Sequence, residues 1–302
     1  MTVDSNSDST PSRKYRDILQ ETVNKNYKKR IFLNRLVTIF TIVCVIAAIV
    51  PLGSILLEVA KNGASAISFE FITQPQGSIG SGDGGVGPAI QGTIIVVGLA
   101  SLIAAPVGVL AGIYLSEYAK HRTFADQVRF FNDVLTGLPS IVIGIVGYIV
   151  IVLSIGSFSV LAGAISLSII MIPIVVRVTE ETLKVVPYSF REAGHSLGIS
   201  KARITLFIVL PSAKNGILTG IVLAISRIAG ETAPLIMTIL GTSLFFTGIG
   251  PVDALPLRIW RLASQPYESA HAFGWGSALI LILMILAMSV GLRFLAQKRS
   301  FK

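Results

Sequence analysis

Two ionisable residues of opposite sign, Arg227 and Glu231, are set inside the apolar stretch AISRIAGETAPLI, residues 224–236. Four residues apart on a helix, they share one face and lie within reach of each other. A guanidinium offers a planar fork that matches two oxygens of an oxyanion. A carboxylate one turn away competes for that fork, so an anion meeting the pair is held briefly and then released. Thr232 adds a hydroxyl donor, and Gly230 and Pro234 permit a local break that leaves backbone groups able to meet water or an anion. The same residues carry two other readings: a static ion pair that fixes helix register, or a proton carrier at Glu231.

Which reading holds depends on the elements that carry the pair. The chain has 302 residues, of which 52% are hydrophobic and 14% charged, with a mean hydropathy of +0.75. That composition points to a membrane protein. Uncharged runs long enough to cross about 30 Å of hydrocarbon occur at 36–57, 89–115, 134–153, 158–176 and 274–292; a sixth, 212–245, is interrupted only by Lys214 and the Arg227/Glu231 pair. The expectation is an all-α polytopic membrane protein with six transmembrane helices. An Arg at mid-bilayer costs about 3 kcal/mol on insertion scales, so it faces a bundle interior or a watery pathway.

Basic residues set the orientation, because Lys and Arg near span ends stay on the cytoplasmic side. With the N-terminus inside, 21 of the 25 Lys and Arg fall on inner segments and only Lys61, Arg258 and Arg261 on outer ones. Both ends are therefore expected to be cytoplasmic. Residues 1–35 read as a polar, then basic cytoplasmic tail, partly disordered at its Ser/Asp-rich start and lacking a cleavable signal. Residues 36–57 read as the first span and 58–88 as an extracytoplasmic loop. The net charge of +9 fits anchoring at anionic headgroups of the lipid bilayer. With no recognisable binding module, nucleic acid is not expected as a partner. Cys44 stands alone, and His121, His195 and His271 are scattered, so neither a disulfide nor a metal site is expected. Arg258 and Arg261 read as rim charges of small effect.

The connection from Arg177 to Ala213 is the most informative. Pro187 and Ser189 open a helix, Gly198 stops it, and SKARITLFIVLP starts a second helix. Glu192-Ala193-Gly194, Gly198, Ile208 and Leu210-Pro211 resemble the EAA loop of ATP-binding-cassette importer permeases, with Gly194 in place of an alanine. The resemblance implies the type I importer permease fold over residues 89–297, with a coupling loop at 179–211 that docks on a separate ATPase. In that loop Ala193 and Gly194 would allow close packing, and Arg191 and Glu192 would pair at the rim. The chain has no G-x-x-x-x-G-K-[ST] phosphate loop, so no cofactor is expected on it; ATP and Mg would be used by the partner ATPase.

Residues Gly84 to Ala119, Thr136 to Tyr148, Arg227 to Ile236 and Leu255 to Pro266 resemble one branch of these permeases, the PstA-type subunits of phosphate importers. That resemblance implies a homologous second permease, a cytoplasmic ATPase dimer, an extracytoplasmic phosphate-binding protein, phosphate as cargo, and residence in the inner membrane of a prokaryote. It also makes Arg177 a second pathway arginine, whose plain alternative is a snorkelling helix-end anchor. Other oxyanions (molybdate, sulfate, phosphonate) and an ion-coupled secondary transporter stand as alternatives. The repeats Gly108-x-x-x-Gly112 and Gly216-x-x-x-Gly220 predict tight helix packing.

Overall fold

A computed structural model describes residues 11–77, 84–119, 123–248 and 250–298. Among these residues there is no strand, only the isolated bridges Gln76 to Gly84 and Leu240 to Val252. Helix α1 runs from Pro11 to Ala64 and α2 from Phe69 to Thr73. Helix α3 covers Gly87–Tyr118, α4 Thr123–Gly137, α5 Ser140–Ile155 and α6 Val160–Val185. Helix α7 spans Tyr188–Ser196, α8 Lys201–Ala229, α9 Ala233–Thr238, α10 Leu255–Ala263 and α11 Glu268–Lys298. Five of these helices are long and apolar enough to cross a membrane, or six if the bent pair α4 and α5 is one span.

The chain divides into two units, Met1–Glu58 and Val59–Lys302. In the first, α1 is already helical at Pro11, so the basic segment ahead of the expected span at 36–57 continues the same helix. The Ser/Asp-rich start expected to be disordered lies outside the described residues.

In the second unit α6 is the central helix, with two thirds of its most apolar window buried. The glycine repeats explain how. A Cβ on Gly108 would lie 2.7 Å from Cβ of Val175, and one on Gly112 would lie 2.6 Å from Cβ of Thr179, so α3 packs backbone-close on α6. Gly216 and Gly220 meet Thr182 and Val178, which brings α8 onto α6 in the same way. Without a hydrophobic force between helices in lipid, such close approach supplies the packing energy.

Two of the six expected spans are interrupted. The run 134–153 bends by 100° between α4 and α5. Pro139 cannot donate a backbone hydrogen bond and disfavours helical geometry at Leu138. Helix α5 rises only about 24 Å, short of the bilayer core. The run 212–245 is helical only to Ala229, resumes at Ala233 and ends at Thr238; its helix begins earlier, at Lys201.

Candidate functional site

The two interruptions meet. Gly144 of α5 lies against Cα of Pro234 and the carbonyl of Ala233, at 2.7 and 3.3 Å from an ideal Cβ, so α5 and α9 pack at their broken ends. Gly230 caps the end of α8, its N–H donating to the carbonyl of Arg227 at 3.2 Å, and Pro234 fits the first turn of α9, where its missing N–H costs nothing. Arg227 and Glu231 sit at this break, in a cleft of about 90 Å³ that is also lined by Thr136, Ser140, Ile170 and Ile174. Their closest approach, Arg227 Nε to Glu231 Oε1, is 3.9 Å, too long for a hydrogen bond. The Arg227 side chain is 57% exposed and that of Glu231 19%. The guanidinium thus has room for an anion, held only loosely by the carboxylate expected to compete for it. Thr232 is half-buried at the turn and stands outside the lining of the cleft.

Arg177 lies one turn beyond Ile174 on the same face of α6, which continues the groove between α4 and α6 into a second cleft of about 150 Å³. Asn132 of α4 donates to the carbonyl of Pro173 at 3.3 Å and fixes the two helices at the junction. Beyond it the walls are charged. Arg177 bonds Asp133 at 3.0 Å and its own-helix Glu181 at 2.9 Å. Arg129 bonds Glu180 at 2.9 Å, Asp126 at 3.0 Å and the carbonyl of Leu115 at 3.1 Å, and Lys184 reaches Glu180 at 2.7 Å. Arg177 therefore lies on the groove and is engaged by two carboxylates.

The loop after α6 is a helix, a left-handed glycine (Gly198, φ +71) and a second helix. Two of its residues point elsewhere than expected. Arg191 is buried, not paired with Glu192 at a rim: its Nε and NH2 bond both carboxylate oxygens of Glu117 at 3.1 and 2.5 Å, and NH1 and NH2 bond the carbonyls of Val186 and Leu183 at 2.8 and 3.0 Å. It ties α7 to the end of α3, where the helix winds as a π-turn over Tyr114–Tyr118. Gly194 is also buried and faces inward; a Cβ there would lie 2.8 Å from Cγ1 of Ile204 in α8. Glu192, Ala193 and Gly198 are exposed and face outward.

At the other end of the bundle Arg258 is not a rim charge. It is 1% exposed, bonds Asp253 through Nε at 2.6 Å and the carbonyl of Thr242 at 3.2 Å, and Arg261 bonds the other Asp253 oxygen at 2.8 Å. Burial pushes the Asp253 carboxyl above its ordinary range and the Arg258 guanidinium below its own, each opposed by the attraction between them. The arrangement pins the 240–254 segment to α10.

Residues 104–300 match the family model described as binding-protein-dependent transport system inner membrane component. The chain belongs to this family. Among relatives of this inner membrane component, the phosphate transport system permease protein PstA of Yersinia pestis is 35% identical over 300 residues, covering 99% of each chain. PstA of Haemophilus influenzae is 37% identical over 267 residues, covering 88% of this chain and 94% of its own. A solved bacterial alginate ABC transporter, in complex with an alginate pentasaccharide-bound periplasmic protein, superposes with a TM-score of 0.61 at 13% identity over 93% of this chain and 98% of that one. At that identity the likeness is one of fold. As a family member the chain is a multi-span transporter subunit, which agrees with the six-span, all-α expectation.

The residue types of this inner membrane component identified Arg227, Glu231 and Arg177; the structure sets the first two in one cleft and Arg177 in a second cleft further along α6. Sequence reasoning passed over Glu117, Arg129, Asp133 and Glu180. Glu117 and Glu180 are buried charges whose arginine partners stand 74 and 51 residues away, and no local spacing signals those pairs; only the tie of Glu180 to Lys184, four residues on, was within reach of the sequence.

Proposed function

We propose that this chain is a transmembrane permease subunit of an ATP-driven inorganic phosphate importer, forming the translocation pathway by alternating access. The observation that carries the reading is Arg227: an intramembrane guanidinium in a cleft where two interrupted helices meet, the one setting in which irregular backbone is tolerated at membrane depth. The cargo follows from the similarity to PstA proteins over almost the whole chain.

Phosphate entering from outside meets the Arg227 fork, which suits two of its oxygens. Glu231, 3.9 Å away, competes for the same nitrogens and keeps residence short. Thr232 at the adjoining turn can donate a hydroxyl once the half-helices part, and Arg177 receives the anion further along α6. The chain works with a homologous second permease, an extracytoplasmic phosphate-binding protein and a cytoplasmic ATPase dimer that uses ATP and Mg. The exposed Glu192, Ala193 and Gly198 present the coupling surface to that ATPase, and both chain ends lie on its side of the inner membrane. Differential contacts in the ATP-bound and ATP-free states shift the bundle between its two openings.

The test is uptake of radiolabelled phosphate by the whole importer in ATP-loaded proteoliposomes. Arg227→Ala should leave subunit assembly intact and lower uptake at least a hundredfold, in line with about 3 kcal/mol lost with a charge-assisted anion contact. Full uptake by this variant would reject the pathway assignment, and molybdate uptake with no phosphate uptake would reject the cargo.

A further inference from the structure

The second cleft differs from the first in a way that the transport reading alone does not use. Its cations, Arg129, Arg177 and Lys184, are matched one for one by the carboxylates that line it, Asp133, Glu180 and Glu181, and all are joined by ion pairs of 2.7 to 3.0 Å. The first cleft holds one cation and one carboxylate, and its pair is loose at 3.9 Å. An anion moving between α4 and α6 thus passes from a place where a guanidinium is available to one where every cation is occupied.

Arg177 is the decisive member. Its Nε and NH1 are taken by Glu181 and Asp133, one carboxylate from its own helix and one from α4, so it is neutralised from both walls. The side chains of all three are 61% exposed, which leaves them open to ions on that side and keeps the pairs exchangeable instead of frozen. Without the two carboxylates the same guanidinium would stand unoccupied at the groove's end and bind phosphate from the delivery compartment.

We propose that Asp133 and Glu181 make this end of the groove a low-affinity exit: by competing for Arg177 they weaken its hold on cytoplasmic phosphate, so delivered anion rebinds little and does not inhibit import. The proposal rests on the groove being the anion's route. It assigns Asp133 and Glu181 as positioning residues that act through Arg177. The exposed pairs are individually weak, so an anion exchanges with them readily in either direction, and what they set is how tightly this end holds it.

The experiment uses the complete importer in proteoliposomes loaded with ATP and graded unlabelled inorganic phosphate, and reads the initial rate of radiolabelled phosphate uptake. The unaltered complex should lose little rate as internal phosphate rises. The Asp133→Asn, Glu181→Gln double variant should be inhibited at internal concentrations at least about tenfold lower, because two like charges no longer oppose the anion. Asp126→Asn removes one carboxylate from Arg129 and none from Arg177, so it should behave as the unaltered complex. Equal sensitivity of the double variant and the unaltered complex would overturn the proposal; so would a shift in Asp126→Asn as large as that in the double variant, because bulk charge and not Arg177 would then be responsible. Should the double variant fail to assemble, Glu181→Gln alone carries the same comparison, since its partner lies on the same exposed helix face. Failure of the pathway reading is seen separately, as full uptake by Arg227→Ala.

Discussion

Three arginines of this chain show how one side chain serves three ends according to its partners. Arg227 faces a carboxylate across 3.9 Å without a hydrogen bond to it, and is the proposed anion contact. Arg191 spends its donors on Glu117 and two carbonyls and acts as a fastener. Arg258 is sealed with Asp253 at 1% exposure. Truncating one partner of a buried pair strands the other charge, at about 3 to 5 kcal/mol. Asp253→Asn should therefore lower the unfolding midpoint of the purified complex markedly, since it strands Arg258 and weakens Arg261; an unchanged melting curve would show that the pair is not sealed in the membrane-embedded protein. The settings of Arg191 and Arg258 were not legible from residue type. The Arg227/Glu231 spacing was informative because its partner is four residues away, whereas the partner of Arg191 is 74 residues away and only the folded chain brings it near.

At the scale of elements, the segment after α6, proposed as the coupling loop, was read correctly as helix, glycine and helix because its signals are local: Pro187 at one end and Gly198, φ +71, at the other. What spacing could not supply was the rotation of α7. Gly194 looks toward Ile204 and Ala193 looks out, so the two small residues have separate duties. Gly194→Leu should overpack the chain's own interior by about 1 to 3 kcal/mol, with Ile204→Ala restoring stability. Ala193→Trp should leave the melting curve alone and abolish co-purification of the ATPase. The reverse pattern would mean that α7 is turned the other way. Glu117→Gln should lower stability and reduce phosphate delivered per ATP hydrolysed, because α7 then loses its tie to α3; a charge-swapped Glu117→Arg, Arg191→Glu pair regaining the ratio would show that the tie and not either residue matters. Of the two interrupted runs, the break near Gly230 and Pro234 was anticipated from those residues, and the helix ends and resumes there. The bend in 134–153 was missed, because counting uncharged residues treats the run as continuous although Leu138-Pro139 within it disfavours a helix.

For the whole molecule, the proposed orientation, with the segment after α6 and both chain ends on the cytoplasmic side, can be tested by labelling. In a Cys44→Ala background, Phe69→Cys and Leu197→Cys place single thiols at side chains that are 81% and 78% exposed. A membrane-impermeant thiol reagent added to whole cells should label the first and spare the second, with the second labelled only in inverted vesicles. Labelling of position 197 from outside would invert the topology and remove the ATPase from the coupling surface. The chain also exposes long apolar sides, Leu102 at 73% and Leu223 at 64% among them, as expected of a multi-span membrane protein.

The first helix has its own arithmetic. At 54 residues and 1.5 Å per residue it measures about 80 Å, while the apolar slab it crosses is only about 30 Å thick. The 18 residues from Pro11 to Lys28, ahead of the span-competent segment that starts at Lys29, alone add about 27 Å. A helix that kept the axis of its span would hold Pro11 about 27 Å above the headgroups, so a fluorophore placed near Pro11 should read that height; a reading at the lipid surface would mean that the basic overhang lies along the headgroups instead.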